Sequence, residues 1–482
     1  MKELLILSGS RLAELIRKRE ISSAEVVDAH IAQIQKVNPV LNAVVRDRFD
    51  QSRIEARQAD EKTRTIPPEE LPPFHGVPCT IKECFSLTGM PNTSGLVMRK
   101  NIISQYDATA VMRLKRAGAI PLGVTNVPEL CMWMETYNRV YGRTRNPYNP
   151  ARIVGGSSGG EGAIISAGGS PFGLGSDIGG SIRMPAFFNG IFGHKPTGGT
   201  VPNTGQFPIA ENEALRYMTT GPLARKAGDL MPLLRILAGP DGEDRGCREF
   251  AFGDPLSVRI EELTIIDVED NGWIKVDADL RNAQQKAVEY LASRGAKIKK
   301  TKIENLSKSL DIWISMLSAA GGKSFSSMLG GGKPINIFWE LIKLMVNQSS
   351  HIFPSITLAI IEKLPKISPG RTKKFVEMGN QLREELVSLI GPKGAMLYPS
   401  YPKTAPFHRK PLLMPFHWVY TAIFNVVELP VTQASLGLNK QGIPLGVQIV
   451  GIHGNDHVTI ALAMELEKAF GGWMPPRIGL LG

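Results

Sequence analysis

Ile153 to Pro196 reads IVGGSSGGEGAIISAGGSPFGLGSDIGGSIRMPAFFNGIFGHKP, and the other residues of the chain take their meaning from it. Its glycines and serines are too dense for an ordinary helix or strand interior, where each glycine costs roughly 0.5–1 kcal/mol relative to alanine. Such a run suits a place where backbone N–H groups must face a reacting centre. A flexible Gly/Ser linker would share the composition, but Ile164, Ile165, Phe172, Leu174, Phe187, Phe188, Ile191 and Phe192 interleave the glycines, and linkers carry no such apolar surface. Ser181 follows Asp177-Ile178-Gly179-Gly180. A serine after a Gly-Gly turn exposes its hydroxyl while the N–H groups of Ile178, Gly179, Gly180 and Ser181 converge, which is the composition of an oxyanion hole. Ser158, Asp177 and Arg183 stand where charge-assisted hydrogen bonds orient that loop.

With these residues in view, GGSSGGEGAIISAGG followed by GSDIGGSIRMPAFFNGIFGHKPT resembles the amidase signature, the mark of serine hydrolases with a Ser-Ser-Lys triad. The forms SPFGLGSDIGGSIR and FFNG are similar to the fatty-acid amide hydrolase branch. The resemblance runs from about Leu5 to Trp473 and is weakest between roughly 240 and 350. It implies an α/β fold, with a large mixed twisted central sheet covered by helices on both faces. It also implies one amidase domain over 1–482, with a helical insertion at about 305–375 that shapes an acyl channel or a membrane face.

The segment Gly76-Val77-Pro78-Cys79-Thr80-Ile81-Lys82-Glu83 alternates, with Val77, Cys79 and Ile81 on one face and Thr80 and Lys82 on the other. A lysine on a buried face ordinarily snorkels to water. The resemblance instead makes Lys82 the catalytic base. It also makes Ser157 the relay, 24 residues before Ser181 (181 − 157 = 24). Amide hydrolysis needs a nucleophile, a base that later protonates the departing amine, and oxyanion donors. Ser181 is the expected nucleophile. An ordinary lysine is protonated at neutral pH, so the base role calls for burial among uncharged neighbours.

Other chemistries fit less well. Gly156-Ser157-Ser158-Gly159-Gly160 satisfies G-x-S-x-G, which would make Ser158 the nucleophile of an α/β-hydrolase, yet the preceding residues are turn-like where a strand is required. His194 lies near Ser181 in sequence and reads as a core histidine. His417, His453 and His457 lack metal-ligand spacing. A nucleotide-binding module would need G-x-x-x-x-G-K-[ST] or G-x-G-x-x-G, and neither occurs. Within the family the alternative is a general amidase or the amidase subunit of a transamidation complex. No cofactor or metal is expected.

With 482 residues, 43% hydrophobic and 21% charged, the chain has material for a sizeable core. A formal charge of +11 attracts anionic surfaces. The basic residues are spread out, however, at Arg17-Lys18-Arg19, at Lys297 with Lys299-Lys300 and at Lys373-Lys374, and read as solvated helix faces with no nucleic-acid partner. Four cysteines without a C-x-x-C pair point to a reducing, intracellular setting. MKELLILSGS is too short an apolar run for a signal peptide or spanning helix, although the resemblance implies an N-terminal membrane anchor upstream of this point; either that anchor lies outside these 482 residues or a membrane is reached through the surface alone. The expected partners are a lipid amide substrate, a peripheral membrane contact and a second copy of the chain.

Periodicity predicts helices over Arg11–Arg19, from Ser22 to about Val37 with a capping box, from an Asp107 cap to Ala117, and over 228–237, 277–293 and 372–389. It predicts strands over 42–46, 119–124, 263–268, 296–303 and 396–398. Alternating strands and helices argue a layered α/β architecture. Ile66–Pro73, with four prolines, is a loop. The apolar stretch 335–364 reads by composition as a buried helix pair; the resemblance favours a channel-lining, membrane-side face. FNVVELPVTQASLG and GIPLGVQIVG resemble the family's closing strands.

Overall fold

The computed structural model describes residues 3–362 and 369–478. Its centre is a mixed sheet of eleven strands in the order β1-β3-β2-β6-β8-β7-β12-β13-β11-β9-β10. In chain order these are β1 (Val44–Asp47), β2 (Pro78–Lys82), β3 (Ile120–Thr125), β6 (Phe172–Asp177), β7 (Phe192–Lys195), β8 (Thr219–Ala224), β9 (Thr264–Asp267), β10 (Lys297–Lys300), β11 (Gly394–Tyr398), β12 (Val431–Leu438) and β13 (Pro444–Val450); β4 (Tyr137–Asn138) and β5 (Gly142–Arg143) form a separate ribbon. β2 runs parallel to both β3 and β6, and β9 parallel to β10 and β11, while the middle of the sheet is antiparallel. This is the α/β architecture expected from the sequence.

Strand periodicity divides the core. Ile265, Ala395, Leu397, Val447 and Ile449 enter one apolar cluster, and their neighbours Ile266, Met396, Tyr398 and Val450 enter another on the opposite face. Helices Leu230–Leu237, Ala278–Ser293 and Asp456–Phe470 cover the first; Ser309–Ala320 and Val419–Val426 cover the second. Both sides of the sheet's interior are therefore dry, and solvent reaches the strands mainly at the edges, on β1 and β10.

The glycine-rich stretch is more regular than its composition predicts. It holds the helix Gly159–Ser166, strand β6 and the helix Arg183–Phe188, all buried. Glycine is there for close approach: a Cβ on Gly160 would lie 2.4 Å from the Asn126 amide nitrogen, and one on Gly173 would lie 1.9 Å from Glu161 Oε2. Tertiary contact thus outweighs helix propensity.

Local signals hold elsewhere with small corrections. Ser22 and Glu25 make both bonds of the capping box, and the helix runs on to Leu41, where Asn42 stops it at φ 50°. Asp107 does not cap the helix Thr109–Arg116. Its carboxylate instead accepts from Thr88 and Lys115. Lys297, Lys299 and Lys300 lie on β10, the exposed edge of the sheet, and not on a helix face; lysines there oppose edge-to-edge pairing.

The buried-pair reading of 335–364 is overturned. No residue of the helix Ile337–Met345 is buried, with Phe338 67% and Met345 87% exposed, whereas Phe353–Ile361 is half-buried. Composition cannot tell a core helix from an apolar surface helix, because both are rich in the same side chains. Leu364, the end of that stretch, lies outside the described residues, as does part of the expected insertion. No described helix is long and apolar enough to cross a membrane.

Candidate active site

All five residues of β2 are buried, because it lies between parallel neighbours β3 and β6 with helices on both faces. Cys79 and Ile81 join the apolar cluster, and Thr80 and Lys82 turn toward the glycine-rich segment. Lys82 is fully buried and does not snorkel to water. Its Nζ donates to Ser157 Oγ at 2.7 Å and to Ser176 Oγ at 2.9 Å, with the Ser176 carbonyl at 3.4 Å. The pairing of β2 with β6 opposite Gly173 and Leu174 brings Lys82 to the level of Ser176.

Hydroxyls surround this amine, and among the described residues it makes no ion pair. Glu161 lies nearby and binds Thr80 at 2.6 Å and Thr125 at 2.8 Å. Burial pushes its carboxyl up to about 8 against the lowering effect of those hydroxyls and of Lys82.

Ser157 follows Gly156 across a cis peptide bond. Ser157 and Ser181 line one cavity together with Ser176 and Ile178, but no hydrogen bond joins the two serine hydroxyls. Ser181 is 8% exposed and, among the described residues, its hydroxyl has no partner.

The loop after β6 is held by Asp177. Its Oδ1 accepts from Gly180 N–H at 2.7 Å and its Oδ2 from Ile182 N–H at 3.0 Å. The Gly180 N–H is therefore occupied by Asp177, which sets it apart from the other three of the expected quartet of oxyanion donors. Its φ of 115° makes this orientation possible, a region that L side chains rarely adopt. Among the described residues, the N–H groups of Ile178, Gly179 and Ser181 have no hydrogen-bond partner.

Arg183 closes over the same carboxylate, with Nε and Nη2 bonded to Asp177 and the remaining donors to the Thr421 carbonyl, Gln448 and Asn425. Burial would push the Asp177 carboxyl up, but Arg183 and the loop amides hold it well below the usual carboxylate range. Ser158 is buried, its N–H on the Ser181 carbonyl and its Oγ 3.4 Å from the Ser176 carbonyl. That placement removes it as an exposed nucleophile of an α/β-hydrolase elbow. His194 sits in the core between Asp456 and Thr432.

Several side chains at the site escaped the sequence reading. Ser176 offered only its place beside Asp177 as a signal, and its nearness to Lys82 comes from the pairing of β2 with β6. Glu161, Trp313, Thr421 and Asn425 carried no local signal. Two cavities of about 150 and 340 Å³ share lining residues that include Ser181, Ile178 and Trp313. The first is apolar, lined by residues such as Met132, Trp313, Phe353, Leu358 and Trp418; the second reaches Gln206, Glu211 and Lys323.

The amidase family model matches residues 25–460. Fatty-acid amide hydrolase 2 of Homo sapiens is 47% identical over 98% of this chain and 91% of its own length, and fatty-acid amide hydrolase 2-A of Danio rerio is 45% identical over 98% and 90%. In fold, a bacterial aryl acylamidase of the amidase signature enzymes superposes with a TM-score of 0.82 at 24% identity, covering 96% of each chain. On these matches, over a sheet and a lysine–serine site of this form, the chain belongs to the amidase family.

Proposed function

We propose that this amidase hydrolyses fatty-acid amides, either long-chain primary amides or N-acylethanolamines, to the free acid and amine. The observation that carries the reading is the fully buried Lys82 amine 2.7 Å from Ser157 Oγ, on the wall of a cavity that Ser181 shares. Unprotonated Lys82 takes the Ser157 proton as Ser157 takes that of Ser181, and Ser181 Oγ attacks the amide carbon. The N–H groups of Ile178, Gly179 and Ser181 receive the oxyanion. Collapse of the tetrahedral intermediate breaks the C–N bond, with the relay returning its proton to the departing amine. Water then releases the acid from Ser181 by the same relay run a second time.

The two serines close their hydrogen bond once substrate excludes water, since catalytic bonds are often long without substrate. The apolar cavity suits an acyl chain, and the names of the relatives in Homo sapiens and Danio rerio point to the same substrate class. The helical segment between 305 and 375 walls the channel through Leu310, Trp313, Phe353 and Leu358. It also presents Phe338, Trp339, Met345 and Val346 outward to a lipid surface.

A fluorophosphonate probe tests the reading. Labelling at Ser181, absent in Ser181→Ala and Lys82→Met, together with turnover of oleamide and N-oleoylethanolamine above that of a short aromatic amide, is the expected result. Labelling elsewhere, or preference for the aromatic amide, would overturn it.

A further inference from the structure

The oxyanion loop is braced from its far side. In a planar trans peptide the C=O and the following N–H point in opposite directions, so whatever fixes a carbonyl also aims the next residue's N–H. The Asp177 carbonyl, coupled to the Ile178 N–H, accepts from Asn425 Nδ2 at 2.8 Å and Thr219 Oγ1 at 3.2 Å. The Ile178 carbonyl, coupled to the Gly179 N–H, accepts from Trp313 Nε1–H at 2.9 Å. The Gly179 carbonyl, coupled to the Gly180 N–H, accepts from Thr421 Oγ1 at 2.8 Å.

Of these four braces, only Trp313 also lines the cavities. Its indole is 9% exposed and stacks edge-to-face on Trp418 at 4.7 Å. It comes from the helix Ser309–Ala320, part of the channel wall, whereas the other three come from β8 and the Val419–Val426 helix. A Cβ on Gly179 would lie 3.7 Å from Trp313 Cζ2, so the ring also packs against the loop backbone. One face of this residue meets whatever fills the channel, and its nitrogen sets the direction of an oxyanion donor.

We propose that Trp313 is a positioning residue that couples acyl-chain occupancy to the oxyanion hole. A chain seated against the indole holds Nε1–H on the Ile178 carbonyl, and thereby keeps the Gly179 N–H on the developing oxyanion. Binding energy from the remote chain is then expressed in the transition state and raises kcat, where a passive wall would lower KM alone. The inference rests on the reading of Ser181 as the nucleophile of a fatty-acid amide hydrolase.

The test is a series of primary amides from two to eighteen carbons, with kcat and KM measured separately for the protein, Trp313→Phe and Trp418→Phe. Phenylalanine keeps an aromatic ring at 313 but removes the N–H donor together with part of the indole's bulk, and Trp418→Phe, which loses the same bulk from the neighbouring wall, controls for the second change. Trp418 is a wall residue whose own Nε1–H bonds the Pro415 carbonyl within its segment. The expected result is that kcat climbs with chain length in the unmodified protein. In Trp313→Phe the long-chain kcat falls about tenfold, less than the 10²–10³ of an oxyanion donor lost outright, and its length dependence flattens while KM keeps its own. Trp418→Phe should shift KM and keep the slope of kcat. A kcat independent of chain length in the unmodified protein, a Trp313→Phe slope unchanged, or the same flattening in both variants would overturn the coupling and leave the Ser181 reading standing. No turnover of any chain length, with Ser181 unlabelled by fluorophosphonate, would overturn that reading and the coupling with it.

Discussion

Arg183 and Asp177 meet in complete burial, with Nη2 2.9 Å from Oδ1 and Nε 3.0 Å from Oδ2. The pair stands directly behind Ser181, and the same carboxylate collects the Gly180 and Ile182 amides. A bidentate guanidinium lets one carboxylate serve as both ion-pair partner and loop clamp.

Arg183→Met is expected to cost about 3–5 kcal/mol of stability, because it leaves a buried carboxylate uncompensated. Adding Asp177→Asn should restore part of that loss by removing the stranded charge. The Asp177 carboxyl is depressed in the folded state, so its contribution is present above the unfolded carboxylate value near 4 and is lost as pH falls further. Guanidinium denaturation of the unmodified protein and both variants at pH 7 measures the loss and its restoration; equal stability of the single and double variants would contradict the stranded charge.

Glu161 works in the opposite sense. Its carboxyl is raised in the folded protein to about 8, so the folded state holds an extra proton between the unfolded value near 4.3 and about 8. Stability from this residue is complete below pH 4 and is lost as pH rises through that window, at about 1.4 kcal/mol per pH unit. Glu161→Gln should flatten the decline between pH 5 and 8. Denaturation midpoints at pH 5, 6.5 and 8 that move in parallel for both proteins would refute this.

Gly160 separates two kinds of reasoning. Helix propensity alone makes Gly160→Ala stabilising by about 1 kcal/mol. The structure reverses the sign, since the new Cβ would meet the Asn126 amide nitrogen at 2.4 Å and the Ala43 carbonyl at 2.7 Å. Overpacking against backbone should cost about 1–3 kcal/mol. Thermal unfolding of this one variant gives the sign.

The outward helix Ile337–Met345 predicts surface behaviour. Replacing Trp339 and Met345, 56% and 87% exposed, by Ser and Gln should reduce co-sedimentation with phosphatidylcholine vesicles several-fold. Hydrolysis of a detergent-dispersed substrate should change by less than about twofold, because neither residue lines the cavities. Vesicle binding at the unmodified level would place the contact elsewhere.

Local signals were legible where a residue's meaning depends on its neighbours in sequence. Ser22 with Glu25 and the alternation through β2 each encode geometry within a few residues, and the structure follows them closely; the Asp-Ile-Gly-Gly-Ser turn departs from its reading at Gly180, whose N–H goes to Asp177. Composition misled at Gly159–Ser166 and Ile337–Met345, where the deciding contact comes from another part of the chain or from its absence.

The amino-acid sequence by itself determined the layered α/β class and the family resemblance, because period-two and period-3.6 patterns are local and the glycine-serine motif is contiguous. Only the tertiary structure decided that Lys82 reaches Ser157 across 75 residues, that Gly180 turns its N–H to Asp177, and that Trp313 braces a loop 135 residues away. Hydrogen-bond direction depends on side chains and peptide planes brought together by strand register and helix packing, and neither is written in any one stretch of sequence.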